Sequence, residues 1–187
     1  KNTIYGEPVA IRLSQLTGRP VRMVMTRSEV FRASGPTVGS RSRIRMGAKN
    51  DGTITAAEAS IHYQAGAFKG SPIGRAVETF FSSYTIENIK VDSFDVCVNR
   101  PKVAAYRAPG APMACFPAEN AINELAEKIG MDPIEIRLKN AVKNGDESLM
   151  GTKYGPIGLI DVLQKLKNHA HNKAPLGPNQ GRGMALG

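Results

Sequence analysis

The sequence predicts an α+β fold: a mixed β-sheet that contains a hairpin and is covered by helices. Three observations carry that class. The run "SRSRIRM" (40–46) alternates in polarity, meets a "KNDG" turn and returns through a second strand-like run over 53–63. A further segment, "NIKVDSFDVCVNR" (88–100), alternates with period two. The remaining apolar positions recur every three or four residues, as in helices, and do not alternate regularly with strands as in a parallel α/β sheet.

Taken in order, "YGEPVAIRLSQLTGRP" (5–20) reads as a helix. Val9, Leu13 and Leu16 share a face, and Gly18 stops it before Pro20. "VRMVM" (21–25) is apolar enough for a core strand, and "TRSEVF" offers one helical turn capped by Thr26 or Ser28. Residues 34–39 are loop. In the hairpin, Arg41, Arg43 and Arg45 line one face, read as the solvated side of a half-buried strand, with Ile44 and Met46 on the other. Residues 64–74 form a loop of small residues, and 75–84 a short helix. The longest helix spans 113–129, with Ala118, Ile122, Leu125 and Ile129 on one face; Pro117 either kinks it or marks its start, and Gly130 ends it. Asp132, Pro133 and Glu135 form the N-cap, first position and capping box of a helix to about Val142. A last helix covers 159–168, and 172–183 is a linker.

With 187 residues the chain suits one medium domain or two small ones. No window holds the roughly 18 apolar residues of a membrane span. The chain starts at Lys1 and ends in glycine after Met184–Leu186, so it reads as a piece of a longer polypeptide. Of the net charge of +9, residues 1–50 hold an excess of eight, with ten Lys or Arg against two acids. That imbalance fits an anionic partner, an acidic neighbouring domain or nucleic acid, although no aromatic–basic nucleic-acid motif accompanies it. Cys97 and Cys115 stand alone, as in a reducing compartment, and the expected location is cytoplasmic. His169 and His171 fall in the linker, and no metal ligand set is expected.

The stretch "VAAYRAPGAPM" (103–113) places a lone arginine among small residues, two prolines and a glycine, between a strand and a helix. Small residues let a backbone approach a ligand, and amides at a helix start favour an anion. Arg107 therefore belongs either to an anion-facing corner or to a tight turn, where it caps carbonyls or pairs with an acid.

Residues 105–146, "AYRAPGAPMACFPAENAINELAEKIGMDPIEIRLKNAVKNGD", resemble the molybdenum hydroxylases, the large subunits of xanthine dehydrogenase, aldehyde oxidase and carbon monoxide dehydrogenase. The shared pattern is an aromatic–Arg pair in a small-residue loop, a helix with an internal acid, then "GMDP-E-R-KN" and "GD". Upstream, 18–29 and 47–68 match the same family in order and spacing. The resemblance implies a molybdopterin-binding fold in which the "AFRG"-type loop meets the cofactor, so Arg107, Tyr106 and Ala108 become cofactor contacts. Lys1 corresponds to the last residue of the family's "FGGK" motif, a further cofactor-binding position.

The family's substrate-binding positions fall on Arg75, Asn2 and Pro109. The arginine is retained, whereas the acid and the aromatic ring of the purine-oxidising members are absent, so xanthine is not the expected substrate. Ala108 stands where the carbon monoxide enzymes carry a copper-binding cysteine, which disfavours that reaction too. The catalytic glutamate of the family lies C-terminal to this region, so no catalytic residue is expected within the chain. The implied domains are 1–171, part of the first molybdenum-cofactor-binding domain, and 172–187, linker and start of the second. The implied parent hydroxylates an aldehyde or N-heterocycle with water-derived oxygen, using molybdopterin in its cytosine dinucleotide form. Iron–sulfur clusters and FAD are then expected on partner domains or subunits. The alternative is a non-catalytic basic module that binds nucleic acid or another anionic partner.

Overall fold

The computed structural model describes residues 6–187. Helix α1 (Glu7–Thr17) ends at Gly18, which takes the left-handed conformation (φ 62°) that glycine adopts without a Cβ penalty. Thr26 caps α2 (Arg27–Ala33) through a complete capping box, its side chain accepting from the Glu29 amide and the Glu29 side chain accepting from its own. Between these helices the expected strand at 21–25 does not form. A strand needs a ladder partner, and the sheet is completed by other segments. Met23, Val24 and Met25 are exposed, as are Val9, Ile11, Leu16 and Phe31, leaving an apolar face that no described residue covers.

The sheet has three strands in the order β1-β2-β3. Strands β1 (Ser40–Ala48) and β2 (Ile54–Gly66) form the antiparallel hairpin that Asp51-Gly52 predicts. Asp51 accepts the Thr53 amide, and Gly52 takes φ 86°. The chain then passes through α3 (Ile73–Thr79) and returns as β3 (Asn88–Cys97), parallel to β2. The mixed sheet of the expected α+β class is thus antiparallel on one side of β2 and parallel on the other.

One face of β2 supplies the core: Ala57, Ala59, Ile61, Tyr63 and Ala65 are buried. Against it pack α3 and α4 (Ala111–Ile129), the latter through Ala114, Ala118, Ile122 and Ala126. Alanines at helical spacing let the helix backbone lie close to the sheet. The opposite face is solvated, with Arg41, Arg43 and Arg45 outward and His62 stacked on Phe94 at 4.5 Å. Pro117 lies inside α4, which begins at Ala111, so the proline does not mark the helix start.

Helix α5 (Pro133–Asn140) is capped by Asp132, which accepts from the amides of Ile134 and Glu135. The expected reciprocal contact from Glu135 is not made; its carboxylate pairs with Lys167 at 2.5 Å, tying α5 to α6 (Leu159–Asn168). Asn140 locks α5 to the hairpin, accepting from the Ile54 amide (2.9 Å) and donating to the Gly52 carbonyl (2.9 Å). A second apolar cluster joins Ile134, Ala141 and Leu163. The short helix α7 (Ala170–Lys173) follows, and 174–187 is irregular.

Candidate functional site

The segment from Lys102 to Gly110 runs from the parallel edge of the sheet to the start of α4. It is fixed at both ends and exposed in the middle. At its beginning, the Val103 amide donates to the Ala65 carbonyl (3.0 Å) and the Ala104 amide to the Pro36 carbonyl (3.1 Å). At its end, the Tyr63 hydroxyl donates to the Gly110 carbonyl at 3.0 Å. Burial pushes that phenol's pKa up to about 12, so it remains a neutral donor across the physiological range.

Gly110 is required here. Its φ is 92°, and a Cβ would collide with the Pro72 carbonyl oxygen and lie 3.0 Å from the Ala76 nitrogen. The hinge therefore rests directly on the first turn of α3. Ala108 is also in the left-handed region (φ 49°), unusual for a residue with a side chain, and its carbonyl accepts from the Ala111 amide at 3.1 Å.

Between these anchors Arg107 is exposed, and no described residue pairs with its guanidinium or accepts from its amide. Of the two readings left open by the sequence, capping and acid pairing are therefore not realised among the described residues. Tyr106 is half-exposed and donates to the Met113 sulfur at 3.7 Å. Pro109 is half-buried beside Gly110. Next to the hinge opens a groove of about 440 Å³ between β1 and α4, lined by Ser40, Ser42, Pro112, Met113, Phe116 and Pro117.

Arg75 lies on α3, the helix against which the hinge packs, so both arginines belong to one supported unit. Unlike Arg107, Arg75 is paired, with Glu78 at 2.7 Å. Lys1 and Asn2 lie outside the described residues. Among the described residues no group of three or more His, Cys, Asp or Glu side chains is placed to hold a metal ion. Cys97 and Cys115 are free thiols, and burial raises the pKa of Cys115. No helix is long and apolar enough to cross a membrane.

A buried polar cluster stands behind the hinge that residue patterns had not revealed. Glu119 in α4 accepts from Arg137 in α5 (Nη2 at 2.7 Å, Nε at 3.0 Å) and from the Tyr84 hydroxyl (2.5 Å). Glu119 is 5% and Arg137 0% exposed, and burial, with Glu119 adding to it, drives the Tyr84 hydroxyl pKa far upward. The internal acid of the helix and the arginine of "IEIRLKN" are therefore partners, and the hydroxyl and guanidinium satisfy an otherwise costly buried carboxylate. Asp146 of "KNGD" does similar work at the surface, accepting from Thr85 (2.6 Å) and the Lys143 amide (2.9 Å).

Comparison with known proteins agrees with this architecture. A family model described as the molybdopterin cofactor-binding domain matches residues 1–141. The large molybdopterin subunit of nicotinate dehydrogenase from Eubacterium barkeri is 32% identical over 162 residues, covering 84% of this chain and 38% of that protein. The xanthine dehydrogenase molybdenum-binding subunit of Escherichia coli O157:H7 is 31% identical over 170 residues, 88% of this chain and 23% of that one. In three dimensions, aldehyde oxidoreductase from Desulfovibrio gigas superposes with a TM-score of 0.82 at 28% identity, covering 88% of this chain and 18% of its own. The chain spans less than two fifths of the length of each of these proteins. With the family model covering three quarters of its residues and the fold agreeing, the chain belongs to the molybdopterin cofactor-binding domain family.

Proposed function

We propose that the chain is part of the molybdopterin-binding subunit of an oxidoreductase that hydroxylates an aldehyde or an N-heterocycle with oxygen from water. One observation carries this reading: in a chain of this family, a guanidinium that no described residue pairs sits on a hinge held at both ends and backed by two packed helices.

The donors at the hinge fit the cofactor. They are a guanidinium and the backbone amides of Arg107 and Ala108, which seek oxygen and do not ligate metal. Such a set suits the oxygen-rich periphery of a group whose metal is held by its own ligands. Bound molybdopterin supplies the two-electron acceptor for the balanced change R–H + H2O → R–OH + 2 H+ + 2 e−. The contribution of this chain is positioning: the hinge holds its donors in place before binding, so little reorganisation is needed. Tyr106, Ala108 and Lys1 join Arg107 as cofactor contacts. Arg75, Asn2 and Pro109 are assigned to substrate binding by the family resemblance, and the lack of an acid and an aromatic ring at the last two argues for substrates other than xanthine.

The cofactor is read as the cytosine dinucleotide form, with iron–sulfur clusters and FAD on partner domains or subunits. The uncovered apolar face of α1, residues 21–25 and α2 supports burial against further polypeptide. Residues 1–171 form part of the first molybdenum domain, and 172–187 lead into the second. The two free thiols fit a cytoplasmic location.

The test is turnover by the complete enzyme, with an artificial electron acceptor, of a panel of aldehydes and N-heterocycles in 18O-labelled water. Label in the hydroxylated product is expected. A molybdenum-replete enzyme that oxidises no member of either class, or whose product takes oxygen from elsewhere, contradicts the reading.

A further inference from the structure

We propose that Glu119 is a positioning residue, which fixes residues 184–186 to the same helix that carries the Arg107 hinge. The proposal rests on the reading above only in that the chain belongs to a longer subunit.

The geometry of the cluster exceeds what a buried ion pair needs. Besides Arg137 and Tyr84, Glu119 Oε2 accepts the backbone amide of Leu186 at 2.8 Å. Arg137 Nη2 also donates to the Met184 carbonyl at 3.3 Å, and Asn123 Nδ2 donates to the same oxygen at 3.3 Å. Two charged side chains, 5% and 0% exposed, thus hold both polar edges of a short extended segment 47 and 67 residues away in sequence. The Leu186 side chain completes the contact, packing against both apolar clusters of the domain.

Little else among the described residues fixes this segment. The preceding stretch 174–183 contains no helix or strand and is exposed throughout. Its side-chain contacts, from Arg182 to the carbonyls of Asn172 and Ala174 and from Gln180 to Gly177, are local. The direction in which the polypeptide leaves the domain is therefore set by the buried carboxylate. Glu119 lies in α4, the helix that begins directly after the hinge, so the segment 184–186 is held in register with Arg107. If downstream residues complete the active site, that register sets their alignment with the cofactor loop.

The test replaces the ionic cluster by apolar side chains of similar volume, Y84F/E119L/R137M, in the complete enzyme. Such swaps are often tolerated without loss of stability, so the fold is expected to survive. Amide exchange at 184–186 is expected to rise about tenfold or more while the core stays protected. Molybdenum content is expected to hold, and kcat to fall by about tenfold to a hundredfold with KM little changed, the scale of a small misalignment of reacting groups. If the triple variant unfolds, Leu186→Pro removes the donated amide and leaves the ion pair intact; proline has no amide to exchange, so its reading is kcat, expected to fall on the same scale with KM and molybdenum content little changed. Unchanged exchange at 184–186 overturns the clamp. Faster exchange with full kcat overturns the positioning role and leaves a structural tie. Exchange is read without turnover, so a wild-type enzyme that binds no molybdenum would refute the proposed function and leave this comparison valid.

Discussion

Replacing Gly110 by alanine puts a single methyl group where the hinge meets α3. At φ 92° the alanine backbone is strained wherever its side chain goes, a cost of about 1–3 kcal/mol. The added Cβ also meets two backbone atoms, the Pro72 carbonyl oxygen and the Ala76 nitrogen, and neither can rotate away as a flexible side chain would. Overpacking of that kind adds about 1–3 kcal/mol, so the total is about 2–6 kcal/mol. For a domain of this size that lowers Tm by roughly 4–24 °C. Gly74→Ala is the matched control: it lies in α3, its φ is ordinary, and a Cβ there meets nothing within 4 Å. It is expected to be neutral or to stabilise by up to about 1 kcal/mol. Urea and thermal unfolding of the two variants, with hydrogen exchange across 104–112, measure both effects. A Gly110→Ala protein with wild-type Tm and an unchanged exchange pattern would show that the hinge does not rest on α3 as described.

Three further outcomes follow from the same packing. Tyr63→Phe removes one of two donors to the Gly110 carbonyl, which keeps the Ala114 amide at 3.2 Å, costing about 0.5–1.5 kcal/mol in urea unfolding and speeding exchange at the start of α4. Asn140→Ala strands the Ile54 amide and the Gly52 carbonyl, and is expected to destabilise by about 2–5 kcal/mol and loosen the hairpin turn in exchange measurements. In acid, the Thr53 backbone and side-chain contacts, aided by Lys139, hold Asp51 near a pKa of about 2, and contacts from Thr85 and Lys143 depress Asp146. Since both folded-state values lie below the unfolded ones, their stabilisation is complete above about pH 4 and disappears as pH falls toward 2; Asp51→Asn is expected to flatten that part of a stability–pH curve.

The elements that local chemistry specifies were readable from the residues alone. Asp51-Gly52 dictates its turn, Gly18 and Gly130 stop helices in the left-handed conformation, and Thr26 and Asp132 cap the helices that follow them. Where the outcome depends on partners distant in sequence, local chemistry is silent. The 21–25 run has strand composition and no ladder partner among the described residues, because composition cannot say which segments will meet. Pro117 looks like a boundary, yet α4 continues through it, held by the buried alanines on either side. Arg107 stood out through its small-residue setting, whereas the supports that make the hinge rigid, Tyr63 and the Pro72–Ala76 turn, come from β2 and α3. The Glu119–Arg137 pair is invisible to pattern for the same reason: the partners are 18 positions apart on different helices. Only the alignment of the internal acid and the "R-KN" run with the family motif marked them.

The most direct test of the account is the molybdenum content per protein of Arg107→Ala in the complete enzyme, measured beside Arg43→Ala. Both variants remove one exposed guanidinium, the second from the solvated face of the sheet. Loss of a charged hydrogen-bond donor to the cofactor is expected to weaken retention by about 1.5–3 kcal/mol, roughly tenfold to a hundredfold in affinity. Arg107→Ala should therefore lose molybdenum on dilution or dialysis, with turnover falling in step and Tm of the metal-free protein unchanged, while Arg43→Ala keeps its metal. Full molybdenum content and wild-type turnover in Arg107→Ala would contradict the assignment of the hinge to the cofactor.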